Sequence, residues 1–304
     1  MATSSLSPTP RPQSLPLPPI AGGRLLRRKF ANGAMWFFAC FFTFLAIVPL
    51  ALVLFHLVKN GLPTLNLQFF TEIQPPAGTK TGGGMKHSIL GTLMMIGIAC
   101  IIGLPFGIFG GIYLAEFGQN RFGGVVRFAA DVLNGVPSII IGIFVYTIAV
   151  LPLVPPRFSA WAGGLALGIM MVPTIMRTTE EIVKLVPMSM REAALALGST
   201  RWRAVFKVVL SAARGGIVTG VLLALARISG ETAPLLFTAL NNNFLNTNPG
   251  EPTAALPTTI YNFATNPDDH WNSLAWTGSL VLVFMILVLS MAARYFTQGI
   301  GRKS

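Results

Sequence analysis

Arg191-Glu192-Ala193-Ala194-Leu195-Ala196-Leu197-Gly198 lies between two long apolar stretches, 160–176 and 215–239. Charged at its start, alanine-rich in its middle and closed by a glycine, it reads as a short helix that opens at Met188 or Ser189 and carries Arg191 to Leu197. The small side chains of Ala193, Ala194 and Ala196 let another surface approach the backbone, and Gly198 permits a turn that a residue with a Cβ resists. Ser199 or Thr200 can cap the next helix, on which Trp202, Val205 and Phe206 face one way while Arg201 and Arg203 reach toward phosphate headgroups. A lipid-embedded chain gains nothing inside the bilayer from such a loop. It is read as a docking surface on the cytoplasmic side, which separates a driven transporter from a self-sufficient one. An amphipathic elbow resting on the membrane would not need the alanine-glycine pattern.

The rest of the chain is that of a membrane protein. Of 304 residues, 53% are apolar and only 11% charged, against about 25% charged in a soluble domain, and the mean hydropathy is +0.65. A span needs about 20 apolar residues. Six stretches qualify: 34–58, 88–115, 128–152, 160–176, 215–239 and 274–294. The expected fold is therefore an all-α polytopic membrane protein with six transmembrane helices. Pro173 is expected to bend the fourth span or end it early. Gly103 and Gly107, in a second span crowded with glycine, suit close helix packing in lipid. The polar loop from Asn241 to Asn272 contains a stretch, Ala254 to Ala264, that suits a short helix lying at the outer interface, with Tyr261, Trp271 and Trp276 in an aromatic belt.

The net charge of +12 is too scattered among apolar spans for a nucleic-acid-binding face. It reads instead as topology. With the N-terminus in the cytoplasm, 17 of the 22 basic residues fall on that side, and only Lys59, Lys80, Lys86 and Arg157 fall outside. Both termini are therefore expected to be cytoplasmic. The organisation expected is a disordered, proline-rich tail over 1–30, a first span over 31–60 and an outer loop over 61–87. A core over 88–295 follows, with the cytoplasmic loop 177–214 inside it, and a short tail over 296–304. The first apolar run is too long for a signal-peptide core of about 7–15 residues.

Glu192-Ala193-Ala194, followed after three residues by Gly198, resembles the EAA loop of ABC importer permeases of the type I (MetI-like) fold. The family pattern ends in a proline that is missing here, where Val208-Val209-Leu210-Ser211 stands. Arg177-Thr178-Thr179-Glu180-Glu181 before the loop and Ala226-Arg227-Ile228-Ser229-Gly230-Glu231-Thr232-Ala233-Pro234-Leu235-Leu236-Phe237-Thr238 after it narrow the likeness. Together they resemble the PstA-type permeases of phosphate importers, over roughly residues 30–300. The resemblance implies a complex in a bacterial cytoplasmic membrane. Its other members would be a PstC-like second permease, a PstB-like ATPase dimer and a PstS-like binding protein that delivers inorganic phosphate. It implies that Glu192, Ala193, Ala194 and Gly198 sit against the ATPase.

Arg227 falls twelve residues into the expected fifth span, about 18 Å along at 1.5 Å per residue. An Arg at mid-bilayer costs at least about 2.5–3.5 kcal/mol unless it has a partner or a wet cavity. Glu231 is four residues on, on the same face of a continuous helix, so the two can neutralise each other. The pair is either a structural clip or a phosphate site, since a guanidinium suits an oxyanion with two charge-assisted bonds. Arg177, at the cytoplasmic end of the fourth span, serves either anion exit or topology. Asp131 is placed near a helix start, where a carboxylate is favoured; Asn134 and Ser138 could line a polar path.

No phosphate-binding G-x-x-x-x-G-K-[ST] loop is present, no serine lies in a nucleophile elbow, and no paired carboxylates flank a plausible soluble cleft. The chain is expected to be no enzyme and to hold no cofactor or metal. Cys40 and Cys100 both fall within spans, without metal-ligand spacing. Import of another oxyanion (sulfate or molybdate) and ion-driven secondary transport remain the alternatives.

Overall fold

The computed structural model describes residues 22–152 and 157–300. Most of the expected disordered tail and the last four residues lie outside them. The described part of that tail is already helical, from Gly22, because leucine, arginine and lysine between 24 and 29 are good helix formers.

The described residues form helices and connecting loops, with no strand among them. The helices are α1 (Gly22–Gly61), α2 (Leu67–Thr71), α3 (Lys86–Glu116), α4 (Arg121–Gly135), α5 (Ser138–Val145), α6 (Ala160–Lys184), α7 (Met188–Ala196), α8 (Arg201–Arg203), α9 (Leu210–Ser229), α10 (Ala233–Thr238), α11 (Leu256–Ala264) and α12 (Asp269–Ile300). Two π-helical stretches, Tyr146–Val150 and Ala204–Val209, extend α5 and join α8 to α9. Five helices are long and apolar enough to cross a membrane, and a sixth span is formed if the bent pair α4–α5 is counted as one.

The chain divides into two units, one up to Phe55 and one from His56. The first is most of α1, whose exposed face carries a ladder of stacked rings, Phe37 on Phe41 and Phe38 on Phe42, each with centroids 6.3 Å apart. The second is built around α3 and α6. Glycines bring these two helices together: a Cβ on Gly107 would lie 2.6 Å from Cβ of Ile175, and one on Gly111 would lie 2.5 Å from the carbonyl oxygen of Met176. Packing this close replaces the hydrophobic effect that lipid does not supply. Met95, Ala99, Leu167, Met171 and Ile175 fill the joint, and Ala224 and Ile228 of α9 close it from the side.

Three expected spans come out differently. Pro173 is buried inside α6, which continues through it to Lys184; the pressed-in face of α3 holds the helix where the proline removes a backbone bond. The third span is not straight, since α4 and α5 meet at 105°. Pro137 is the cause: it forces Val136 out of the helical region, to ψ 130°. The fifth span stops at Ser229, and α10 begins only at Ala233. Gly230 ends the helix, and Pro234 in the first turn of α10 has no N–H to give to a continuous one.

Candidate functional site

At one end of the bundle the loop after α6 carries α7. Its turn is a Schellman motif: the N–H of Ser199 donates to the carbonyl of Ala194 at 3.2 Å and that of Gly198 to Leu195 at 2.9 Å. Gly198 has φ +80°, a conformation that costs other residues roughly 1–2 kcal/mol. Glu192, Ala193 and Gly198 are exposed, as are Leu195 and Leu197, whereas Ala194 is buried against its own chain. The expected open alanine face is therefore narrower than its composition suggests. Arg191 is drawn inward. Its guanidinium binds Glu116 Oε1 through Nε at 3.0 Å and Nη2 at 2.8 Å, and it also donates to the carbonyls of Val183 and Val186. Arg201 donates to the carbonyl of Glu116 at 2.8 Å and lies over the ring of Phe117, which Trp202 also flanks. It is thus tied to the end of α3, not held out toward headgroups. A cleft of about 410 Å³ lies under α7, between Glu116, Lys184, Leu195 and Arg201.

Beside this loop, Glu180 gathers three cations. Arg127 Nε lies 2.6 Å from it, Arg177 Nη1 2.8 Å and Lys184 Nζ 2.5 Å, while the carboxylate itself is 1% exposed. Arg127 also donates to the carbonyls of Leu114 and Gly118. Arg177 reaches Asp131 at 2.9 Å. Asp131 sits inside α4 and is a partner for Arg177, not a helix-start residue. Asn134, one turn on, accepts from Thr174 Oγ1 at 3.1 Å. Residues 127, 131 and 134 of α4 thus meet 180, 177 and 174 of α6 in antiparallel register. The sequence shows each charge but not the meeting of the two helices; the local signals were Arg177 to Glu180, an i,i+3 pair, and Glu180 to Lys184, an i,i+4 pair.

Arg227 is different. It stands exposed in the last turn of α9, and its guanidinium has no hydrogen bond or ion pair among the described residues. Glu231 is half-buried and does not bond it, because the helix that would have set them on one face ends at Ser229, between them. The break leads into α10, which packs on α5 so closely that a Cβ on Gly142 would lie 2.6 Å from Cα of Pro234. Two interrupted helices thus meet just beyond Arg227.

The end opposite α7 is built on buried threonines and serines. Ser88 Oγ lies 2.7 Å from Thr259 Oγ1, and the N–H of Leu256 donates to Thr92 Oγ1 at 2.7 Å. α11 is therefore set into the bundle, with Leu256, Thr258, Thr259 and Phe263 buried, and does not lie on the interface. Trp271 stacks on Phe263 at 4.6 Å, so it belongs to this core; Tyr261 and Trp276 remain exposed. Asp268 holds the neighbouring loop, accepting from the N–H groups of Gly78, His270 and Trp271. The Gly78 bond leads in holding its carboxyl below the usual carboxylate range.

A bundle of five or six spans, helical throughout the described residues, interrupted at two prolines and carrying at one end a short helix bonded to α3, is the architecture of an ABC importer permease. Residues 103–302 match the family described as binding-protein-dependent transport system inner membrane component, and the chain belongs to that family. It is 42% identical to the phosphate transport system permease protein PstA of Haemophilus influenzae, covering 90% of this chain and 96% of that one. With the PstA of Yersinia pestis it shares 48%, over 80% and 81% of the two chains. Among solved structures, the inward-facing MetNI methionine ABC transporter aligns with TM-score 0.54 and 18% identity, over 70% of this chain and 94% of that one. A bacterial alginate ABC transporter in complex with its pentasaccharide-bound periplasmic protein aligns with TM-score 0.59 and 14% identity, over 91% and 95%. This is a multi-pass membrane protein, a non-catalytic component of its transport system.

Proposed function

We propose that this chain is the permease subunit of an ATP-driven importer of inorganic phosphate. It forms half of the translocation path beside a PstC-like permease, above a PstB-like ATPase dimer that hydrolyses the ATP, and receives phosphate from a PstS-like binding protein. The names of the similar proteins support the cargo. The basic residues crowded at the α7 end support a cytoplasmic location for that end and for both termini, in a bacterial cell membrane.

The observation that carries the reading is Arg227, a cation without a partner at the end of an apolar helix. An anion passing the break between α9 and α10 would find there a planar fork for two charge-assisted bonds. Glu231, not bonded to it, would take over the guanidinium as the anion leaves and so prevent retention. Arg177, already shared between Asp131 and Glu180, would serve the anion nearer the cytoplasm. Exposed Glu192 and Ala193, with the turn at Gly198, would seat on the ATPase, and Ala194 would hold α7 to its own chain beneath them. The core 88–295, with its coupling loop 177–214, would be the working part.

The test is uptake of labelled phosphate into proteoliposomes. With the full complex, uptake requires ATP and falls in Arg227→Ala while the complex still assembles. Unchanged uptake in that variant, or uptake by this chain alone down an ion gradient, overturns the proposal.

A further inference from the structure

One ion pair, Glu116 with Arg191, ties α7 directly to α3. We propose that Glu116 and Arg191 are a latch that makes α7, α3 and α6 move as one body, so that the ATPase stroke enters the membrane through this pair. The inference rests on the reading of the chain as a driven permease.

The geometry is specific. Arg191 and Glu116 have side chains only 16% and 7% exposed. One guanidinium touches three elements: Glu116 at the end of α3, Val183 in the last turn of α6, and Val186 in the link to its own helix. Only arginine offers enough donors in a fixed fork for that; lysine is a point charge. The following arm of the loop returns to the same residue, through Arg201 and the carbonyl of Glu116. Both sides of α7 are thus fastened to the last residue of α3.

The helix is interrupted on either side of α7. Pro187 precedes it with ψ 141°, and Gly198 comes after it with φ +80°. Without the latch, α7 would keep the packing of Ala194 on its own loop but lose its side-chain tie to α3, and the loop could shift without carrying α3 along. With it, a push on α7 reaches α3 at Glu116. From there it reaches α6, since the glycine contacts along the α3–α6 joint leave no slack: a Cβ on Gly103 would lie 2.9 Å from Met171 Sδ, and one on Gly107 2.6 Å from Ile175. Packed interfaces of this kind transmit displacement because they deform little. Glu116 and Arg191 are positioning residues; neither is asked to touch phosphate or nucleotide.

The experiment measures phosphate imported per ATP hydrolysed by the reconstituted complex, for wild type, Glu116→Gln and Arg191→Met. ATP turnover is expected to stay near that of wild type, while the ratio falls roughly tenfold, as when a link worth one charged hydrogen bond no longer holds the helix. A second variant carries Glu116→Cys and Arg191→Cys in a chain with Cys40→Ala and Cys100→Ala. Bridged by a short bifunctional thiosulfonate, it is expected to transport at the wild-type ratio and to lose that ratio on reduction. Unchanged ratios in both single variants overturn the latch. So does a bridged complex that hydrolyses ATP without transport, because α7 would then have to move against α3. Hydrogen exchange over Met188–Ala196 tests the latch independently of cargo: it should quicken in Glu116→Gln, and unchanged exchange overturns the latch. A wild-type complex that imports no phosphate would instead defeat the functional reading.

Discussion

Glu180 and Arg227 are both charged residues near the ends of membrane-length helices, and they are treated in opposite ways. The carboxylate is almost fully enclosed and bonded to three cations drawn from α4 and α6. The guanidinium has no partner among the described residues and stands where α9 breaks. A buried carboxylate is tolerable only when paired, so the Glu180 cluster is structural by necessity. An unpaired cation at a helix break is tolerable where a wet path or an anion visits it. On the proposed function, the contrast separates charge committed to holding helices from charge kept available for a moving ion.

Removing the available charge should matter most for transport. Arg227→Ala should lower phosphate uptake roughly 100-fold, the usual cost of losing an oriented donor to an anion, and leave thermal unfolding of the subunit in detergent unchanged. A large drop in unfolding temperature would erase the contrast, since Arg227 would then be structural too. Glu180→Ala should do the reverse. Its three partners lose their anion but reach water, with side-chain exposures of 26%, 29% and 51%. The destabilisation should therefore fall to about 2–3 kcal/mol, below the full cost of breaking an enclosed pair. Thermal unfolding reads it, and uptake per assembled complex should change little.

Arg177 tests the boundary between the two regions. It is half-buried and shared by Asp131 and Glu180. Arg177→Ala should reduce uptake by at most about threefold, under 1 kcal/mol on the rate scale. A loss matching that of Arg227→Ala would make Arg177 as essential to the anion as Arg227 and erase the boundary between the two regions. The smallest effect belongs to Asp268, a half-buried residue whose carboxylate binds backbone N–H groups, Gly78 first. Its folded value is depressed, so the anchoring of the loop is fully present above the unfolded value of about 3.9 and is lost as pH falls through the lower folded one. The amide resonance of Gly78 should stay fixed from pH 7 to 5 and move only below that; movement near pH 5 would mean the bond is not held.

Much of this was legible in the sequence because it is local. Apolar runs of span length announce membrane helices, and α7 with its glycine turn is written in the consecutive residues from Met188 to Gly198. The α4–α5 bend and the end of α9 were also signalled, by Pro137 and Pro234, although apolar run length drew attention past them. Pro173 shows why: the same residue type lies inside an unbroken α6, where the α3 face keeps the helix together. A proline states that one backbone bond is missing; its neighbours determine whether the helix bends, ends or continues.

The sequence by itself determined that this chain is a bundle of membrane helices with a short helix, closed by a glycine turn, set between two of them, since hydrophobic length and turn chemistry act over a few residues. Only the tertiary structure decided how the charges are used. Arg127 and Glu180 are 53 positions apart, and Arg191 and Glu116 are 75. No local pattern relates such residues until packing lays their helices side by side. The tertiary structure also parted Arg227 from Glu231, which the four-residue spacing had joined, because the helix ends between them.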